Sequence, residues 1–207
     1  MAAYVTRKGE MLQDPPLIQK LLSDPRAGWI WLLPRLWLSY QWLDAASHKI
    51  ANPAWMQTGE ALKGFWTNAL TITNGKSLIA FDWYRGFLQG MLDAQAYTWF
   101  AKLIALGELT IGIALLVGAF TGIAAFFSGF MNWNFMMAGS ASSNPLLFVV
   151  AVGLILAWKV AGNIGADYFL LRWLGTPWRG KPVEQVEEKA FKKLPAGAAA
   201  SGVASGK

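Results

Sequence analysis

Four residues on one predicted helix have side chains that could carry chemistry. Asp44 and His48 are four residues apart, so on a helix they share one face with Gln41 and Trp37. A carboxylate and an imidazole can move protons, and amide and imidazole N–H groups can donate to carbonyl oxygens between aromatic walls. Such a site could bind a quinone head, and an interfacial His48 without a catalytic role is the alternative interpretation.

A later polar run, Asn132-Trp133-Asn134, ends another apolar stretch and could complete that site. Asn132 and Asn134 face different sides of a helix, so at most one of them lines a bundle core. The predicted catalytic residues are Asp44, Glu108 and His48, and the predicted quinone-binding residues are Gln41, Trp37, Asn132 and Trp133.

Glu108 lies near the middle of an apolar span, 97–117. A carboxylate at mid-membrane costs at least ~2.5 kcal/mol on insertion scales. Its stripe at i, i+4, i+7 spacing is mostly small: Ala101, Ala105, Glu108, Gly112, Leu115 and Ala119. Small residues let helices approach closely in lipid, so Glu108 should face a neighbouring helix. Two interpretations stay open, a proton or quinone contact and a structural lock, with Arg35 or Lys159 as the predicted ion-pair partner.

Four apolar spans must position these residues, at about 29–50, 97–117, 119–138 and 145–165. Each is close to the ~20 residues that cross a bilayer. The predicted fold is therefore all-α, a polytopic membrane protein with a four-transmembrane-helix bundle in residues 27–168. Residues 1–26 form a polar segment with a short interfacial helix from Pro16. Residues 169–207 form a basic tail with a charged helix at 183–194 and disorder from about 195.

The connection 51–96 is too polar to span a bilayer. Asn52-Pro53 is a helix-start signal, and Asn74-Gly75 marks a turn. Aromatic residues at helical spacing in 55–69 and 81–92 predict amphipathic helices on the membrane surface, covering the outer end of the bundle. An ordinary cap without a ligand role is the alternative interpretation.

Composition also indicates the membrane and excludes several cofactors. Charged residues make up 14% of the chain, below the ~25% of soluble domains, and 55% is hydrophobic with twelve Trp. The absence of Cys excludes a disulfide, a thiolate metal site and covalent haem, and a single His excludes bis-His haem within one chain. We therefore predict no metal or haem. The net charge of +6 suggests contact with anionic lipid, and no nucleic-acid module is visible.

Two segments carry a resemblance to a known family. Glu108-x-x-x-Gly112-Ile-Ala-Leu-Leu-Val-Gly118-Ala-Phe-Thr-Gly122 resembles the core of the DoxX/DoxD family, and the helix from Arg35 to Lys49 resembles that family's first helix. The resemblance covers about 29–165, apart from the 51–96 insert. It implies a four-helix membrane subunit of a thiosulfate:quinone oxidoreductase or an oxidative-stress complex.

The charge distribution predicts the orientation in the cell membrane. Basic residues flank the spans in both tails, and the 51–96 loop carries a smaller counterweight, so we expect cytoplasmic termini and an outer loop. Membrane lipid, a protein partner subunit and a diffusible quinone are the expected partners. A non-catalytic scaffold is the second hypothesis. A small-solute transporter is a third, disfavoured because no inverted repeat is visible.

Overall fold

The computed structural model describes residues 4–5, 11–12, 14–73 and 76–175, and most of these are helical. In chain order, the helices are α1 (Pro16–Ser23), α2 (Gly28–Ile50), α3 (Pro53–Met56), α4 (Glu60–Leu70), α5 (Asp82–Asp93), α6 (Tyr97–Val117), α7 (Thr121–Met137), α8 (Asn144–Leu156), α9 (Trp158–Ala161) and α10 (Asp167–Leu174). Two antiparallel pairs of two-residue strands complete the described part, β1 (Tyr4–Val5) with β2 (Met11–Leu12) and β3 (Ile72–Thr73) with β4 (Lys76–Ser77). The all-α prediction is confirmed.

The four longest helices form the bundle, in which α2 packs on α6, α6 on α7, and α7 on α8. Their shared core includes Leu38, Leu115 and Leu154, which are fully buried. The predicted turn between α6 and α7 is confirmed, because Gly118 ends α6 with a φ of 70° and α7 begins at Thr121. A positive φ suits glycine, which has no Cβ to clash with the backbone.

The predicted small-residue stripe of α6 faces its neighbours. Ala101, Ala105, Glu108, Gly112 and Leu115 are buried, and Ala119 is half-buried. At Gly112 a Cβ atom would lie 2.7 Å from the Leu43 side chain of α2. The Ser39 hydroxyl of α2 donates to the Gly112 carbonyl at 2.7 Å. The stripe therefore brings the α2 and α6 backbones together, as small residues do between membrane helices.

The fourth apolar stretch is broken and is not one helix from 145 to 165. Helix α8 ends at Leu156, α9 adds one short segment, and residues 162–166 turn into α10. The reason lies across the bundle. The Ala161 and Ile164 carbonyls accept hydrogen bonds from Arg35, and the N–H groups of Ala166 and Asp167 donate to the carbonyls that end α6. Because these backbone groups bond to Arg35 and to the end of α6, they do not form the hydrogen bonds of one continuous helix.

Helices α3, α4 and α5 form a cap on the N-terminal end of α6. Leu62, Trp66, Tyr84 and Leu88 build a second core against the start of α6, which includes Ala101. Helices occur in both predicted segments of 51–96, and the segment 81–92 is confirmed as α5. The segment 55–69 is not one helix, because Gly59 has a φ of 78° and separates α3 from α4. The predicted turn at Asn74-Gly75 lies outside the described residues, between the paired strands β3 and β4.

One helix of the described part, α6, is long and apolar enough to cross a membrane, with 21 residues and a mean hydropathy of 2.0. Helix α8 is apolar and shorter. The predicted helix of 1–26 is confirmed as α1. Predictions for 176–207, including the helix at 183–194 and the disorder from 195, lie outside the described residues.

Candidate functional site

A polar cavity of about 400 Å³ lies where the last turns of α2 meet α3, α4, α6, α7 and the start of α8. We call it the Glu108 cavity. Its polar lining residues are Gln41, Asp44, Lys49, Glu108, Asn132, Ser140, Ser142, Ser143 and Asn144. Its aromatic lining residues are Trp42, Trp55, Phe65 and Phe135. Aromatic walls with a few convergent polar groups are typical of small-molecule sites.

An ion pair forms part of the cavity wall. The Lys49 Nζ lies 2.9 and 2.8 Å from the two carboxylate oxygens of Glu108. The Glu108 side chain is 1% exposed and the Lys49 side chain 18%. The ammonium also lies 5.2 Å from the ring centroid of Trp55 in α3, a cation–π distance. The buried Glu108 carboxylate is therefore neutralised by Lys49, a partly buried lysine in the last turn of α2.

The predicted partners of Glu108, Arg35 and Lys159, are corrected by this geometry. Arg35 precedes Lys49 by 14 residues on α2, a rise of ~21 Å along one helix. Its guanidinium donates to the Ala161 carbonyl at 2.9 Å and to the Ile164 carbonyl at 2.8 Å. Lys159 lies in α9, beside those carbonyls. Both cations are thus at the other end of the bundle, and the prediction did not consider Lys49 as the partner.

Asn132 is the cavity residue with unused hydrogen-bonding capacity. It is fully buried in α7, and neither its Nδ2 nor its Oδ1 has a hydrogen-bond partner among the described residues. Buried polar groups are nearly always hydrogen-bonded, to protein, to water or to a ligand. The amide therefore has one donor group and one acceptor group without a partner at the wall of the cavity.

The predicted residues of α2 divide between the cavity and the surface. Gln41 and Asp44 line the cavity, but Trp37 and His48 are not among its lining residues. His48 Nε2 lies 3.7 Å from Asp44 Oδ1 on an exposed face, where the side chains are 80% and 53% exposed. The prediction that this whole sector faces the site was wrong, because α2 turns the opposite face, which carries Arg35, into the bundle.

The polar run of α7 is divided in the same way. Asn132 points into the bundle, whereas Trp133 stacks on Phe130 and packs edge-on against Tyr84, outside the Glu108 cavity. Asn134 accepts a hydrogen bond from Tyr84. The prediction that at most one asparagine lines the core is confirmed, and Trp133 is removed from the predicted site.

A second buried polar cluster closes the opposite end of the bundle. The Asp167 carboxylate accepts hydrogen bonds from the backbone N–H groups of Phe120 and Thr121, at 2.5 and 2.8 Å. It thereby caps the first turn of α7, whose N–H groups have no partner within the helix. Its negative charge also attracts the Arg35 guanidinium. The sequence prediction did not include Asp167, and we assign it a structural role.

Tyr84 in the cap should ionise at unusually high pH. Its phenol donates to the Asn134 carbonyl at 3.0 Å, and burial raises the pKa of Tyr84 to about 12 from its ordinary value of 10.0. The neutral phenol therefore stabilises the fold fully below about pH 10, and this contribution is lost as the pH rises through about 12. In an ultraviolet titration of tyrosinate, we expect a late step that Tyr84→Phe lacks. A titration of unchanged shape in that variant would contradict the assignment.

No cluster of three or more His, Cys, Asp or Glu residues that could hold a metal ion occurs in the part of the chain that the structure describes. Comparison with known proteins finds no matching protein-family model, no matching curated protein and no matching solved structure. The resemblance to the DoxX/DoxD family therefore stays a prediction from the motifs alone.

Proposed function

We propose that this protein is an integral membrane subunit of a quinone-linked oxidoreductase and that the Glu108 cavity holds the quinone head. The observation that carries the proposal is Asn132, a fully buried amide with no partner among the described residues, on the wall that also carries the Lys49–Glu108 pair. A quinone has carbonyl oxygens that accept hydrogen bonds, and its reduced form has hydroxyl groups that donate them. The two halves of one amide complement both forms.

The distribution of polar and apolar side chains supports a membrane bundle of four spans. The buried polar residues are Arg35, Ser39, Glu108, Thr121, Ser128, Asn132 and Asp167. Large apolar side chains such as Leu33, Ile123 and Val149 are exposed on the outer faces of α2, α7 and α8. Polar groups turned inward and apolar groups turned outward suit a lipid solvent. The 13 residues of α8 rise ~20 Å, so the proposed fourth span includes α9 as well.

Cytoplasmic termini and an outer 51–96 loop complete the proposed topology. Lys49 is a basic residue at the loop end of the first span, where it would count toward the opposite orientation. It points into the Glu108 cavity, where it pairs with Glu108, and not toward a membrane surface. The 51–96 loop therefore has fewer basic residues that favour a cytoplasmic position, since the positive-inside rule counts basic residues that flank the spans.

When bound, a quinone supplies two-electron, two-proton redox chemistry, and the chain supplies binding and proton transfer. Asn132 would donate to the head through Nδ2 and accept through Oδ1. The Lys49–Glu108 pair can hold a proton beside the head, and the half-exposed Asp44 can exchange one with water at the mouth of the cavity. Glu108 and Asp44 keep the proton-transfer roles predicted from the sequence, and His48 does not.

The electrons must come from another molecule. The family resemblance implies thiosulfate or a similar reduced sulfur compound as the donor. Lys49 is the one cation among the lining residues that the structure describes, and Glu108 already neutralises it. An anionic donor would lack an uncompensated positive charge there. We therefore place donor oxidation on a partner subunit, with this chain as the quinone-binding member.

The test uses Asn132→Leu, a change of nearly the same shape. We expect quinone retained on purification in mild detergent to fall at least about tenfold, the effect of losing about 1.4 kcal/mol of binding free energy. The free energy of unfolding should stay equal or rise, since an unpaired buried amide costs about 1–3 kcal/mol. Asn163→Leu, at the far end of the bundle beside Pro25, is the matched control and should retain quinone. Equal retention in wild type and Asn132→Leu would refute the assignment.

A non-catalytic scaffold is the second candidate, and α10 is the observation that favours it. This helix buries Asp167 and Leu171 but exposes Phe169 and Trp173, a surface on which a partner could pack. The same purification separates the two functions. A stoichiometric partner without quinone, lost in the double variant Phe169→Ser/Trp173→Ser, would favour the scaffold. Both side chains are exposed, so these changes leave the Asp167 cap of α7 in place.

A further inference from the structure

Two apolar cavities extend from the Glu108 cavity toward the outer surface of the bundle. The nearer one, which we call the apolar chamber, has about 340 Å³ and lies between the cap and helices α6 and α7. Phe65 and Phe135 line both the Glu108 cavity and the apolar chamber. The two spaces are thus separated by a wall to which two aromatic rings contribute.

The farther space is a groove of about 670 Å³ between α6 and α7, which we call the α6–α7 groove. Phe100, Ile104, Phe130 and Met131 line both the apolar chamber and this groove. Large apolar side chains, Leu103 among them, are exposed along the groove. The three spaces therefore form a series that runs from a polar interior site to the face that would meet lipid.

The partition between the first two spaces is built from side chains. The Phe65 ring of α4 meets the Phe135 ring of α7 edge-on, with centroids 6.2 Å apart. Both residues are partly buried. Rotation of one ring would join the Glu108 cavity to the apolar chamber without moving a helix, and partly buried side chains change rotamer far faster than helices move.

We propose that the ligand of the Glu108 cavity is an amphiphile that enters from the bilayer through the α6–α7 groove, with Phe65 and Phe135 as its gate. Its flat polar head lies at Asn132 and the Lys49–Glu108 pair. Its long apolar chain crosses the apolar chamber and ends in the groove. This inference rests on the proposed function and deepens it, since it names a quinone with a long apolar chain and excludes one that acts mainly from water.

The occupant of the chamber follows from continuity with the polar site. The Glu108 cavity and the apolar chamber share two lining side chains, and the apolar chamber and the α6–α7 groove share four. One apolar chain of a ligand can therefore occupy both the chamber and the groove. The residues that line the chamber are almost all apolar, so an apolar chain, and not water, is the stable filling. A water-soluble ligand would leave the chamber and the groove without a role.

The test compares two quinones with the same head, one bearing a methyl group and one bearing a decyl chain. Binding is measured on full-length protein in nanodiscs of fixed lipid content. Ile104→Trp should obstruct the passage between the chamber and the groove, because Ile104 lines both. We expect this variant to weaken decylquinone binding at least about tenfold, a difference of about 1.4 kcal/mol, and to leave methylquinone binding unchanged. Ile113→Trp on the outer face of α6 is the control, because Ile113 lines none of the three spaces, and it should bind both as wild type does.

Each result decides one question. An unchanged preference for the decyl chain in Ile104→Trp would overturn the lipid-side route and leave the proposed function standing. Failure of wild type to bind either quinone would instead refute the proposed function. Unchanged methylquinone binding shows that the variant is folded. If the Trp variant cannot be purified, Ile104→Phe makes the same comparison with a smaller side chain.

Discussion

Replacing Lys49 with Met should lower the free energy of unfolding by about 3–5 kcal/mol, the cost of leaving a buried charge without its partner. The Glu108 side chain is 1% exposed, so it cannot recover hydration when the ammonium is removed. The double variant Lys49→Met/Glu108→Leu should regain most of the loss, because an apolar pair of similar volume often replaces a buried ion pair at little cost. Thermal unfolding in detergent measures the effect, and a loss of this size lowers Tm by at least about 6 °C.

The exposed pair Lys63–Glu60 provides the matched control. These side chains are 41% and 56% exposed and lie 3.2 Å apart, so Lys63→Met should leave Tm nearly unchanged. A double variant as unstable as Lys49→Met alone would contradict the charge argument. The double variant also decides between the two interpretations of Glu108. If it folds and still retains quinone, Glu108 is a structural lock, and if it folds and loses quinone, the carboxylate serves the ligand.

Replacing Arg35 with Met should destabilise the opposite end of the bundle by about 3–6 kcal/mol, the value of two hydrogen bonds from a charged group. The change removes the two charge-assisted hydrogen bonds from the guanidinium to the Ala161 and Ile164 carbonyls. Arg35→Lys should recover only a small part, because an ammonium on a flexible stem does not reproduce the planar fork that reaches two carbonyls.

Chemical unfolding in detergent measures this effect, and Arg172→Met is the control. Arg172 lies in α10, where its guanidinium stacks 3.7 Å from the ring centroid of the exposed Tyr168. Its loss should cost about 1 kcal/mol or less, the value of an exposed cation–π contact. Equal losses for Arg35→Met and Arg172→Met would show that the buried cluster adds no stability beyond that of a surface contact.

The sequence was sufficient for the inward face of α6. Its outward positions are mostly large and apolar and its inward positions are mostly small, so the spacing of Ala101, Ala105, Glu108 and Gly112 specified the buried side. The buried face of α2 has the same spacing but a different composition, because it carries the large side chains of Arg35 and Trp42. Arg35, Ser39, Trp42, Ala46 and Lys49 recur at intervals of four and three, and all but the half-buried Lys49 are buried. The prediction from Asp44 and His48 instead selected a face of α2 on which both side chains are exposed.

The cluster of Arg35 and Asp167 could not be predicted from local patterns. Its bonds join residues 46 to 129 positions apart, and they depend on how α2 and the segment after α9 meet in space. Periodicity along one segment carries no information about such partners. The unpaired amide of Asn132 was likewise visible only after packing, although its residue type and place on α7 were part of the predicted site.

The cap that Asp167 places on α7 has a consequence for synthesis. During synthesis, Thr121 at the start of α7 is made 46 residues before Asp167, whose carboxylate accepts from its N–H group. Arg35 is made 126 residues before Ala161, whose carbonyl accepts from the guanidinium. During that interval α7 has a loose start and α2 carries an uncompensated guanidinium. We therefore expect the contacts of Arg35 and Asp167 to form late, after the segment from 161 to 167 has been synthesised.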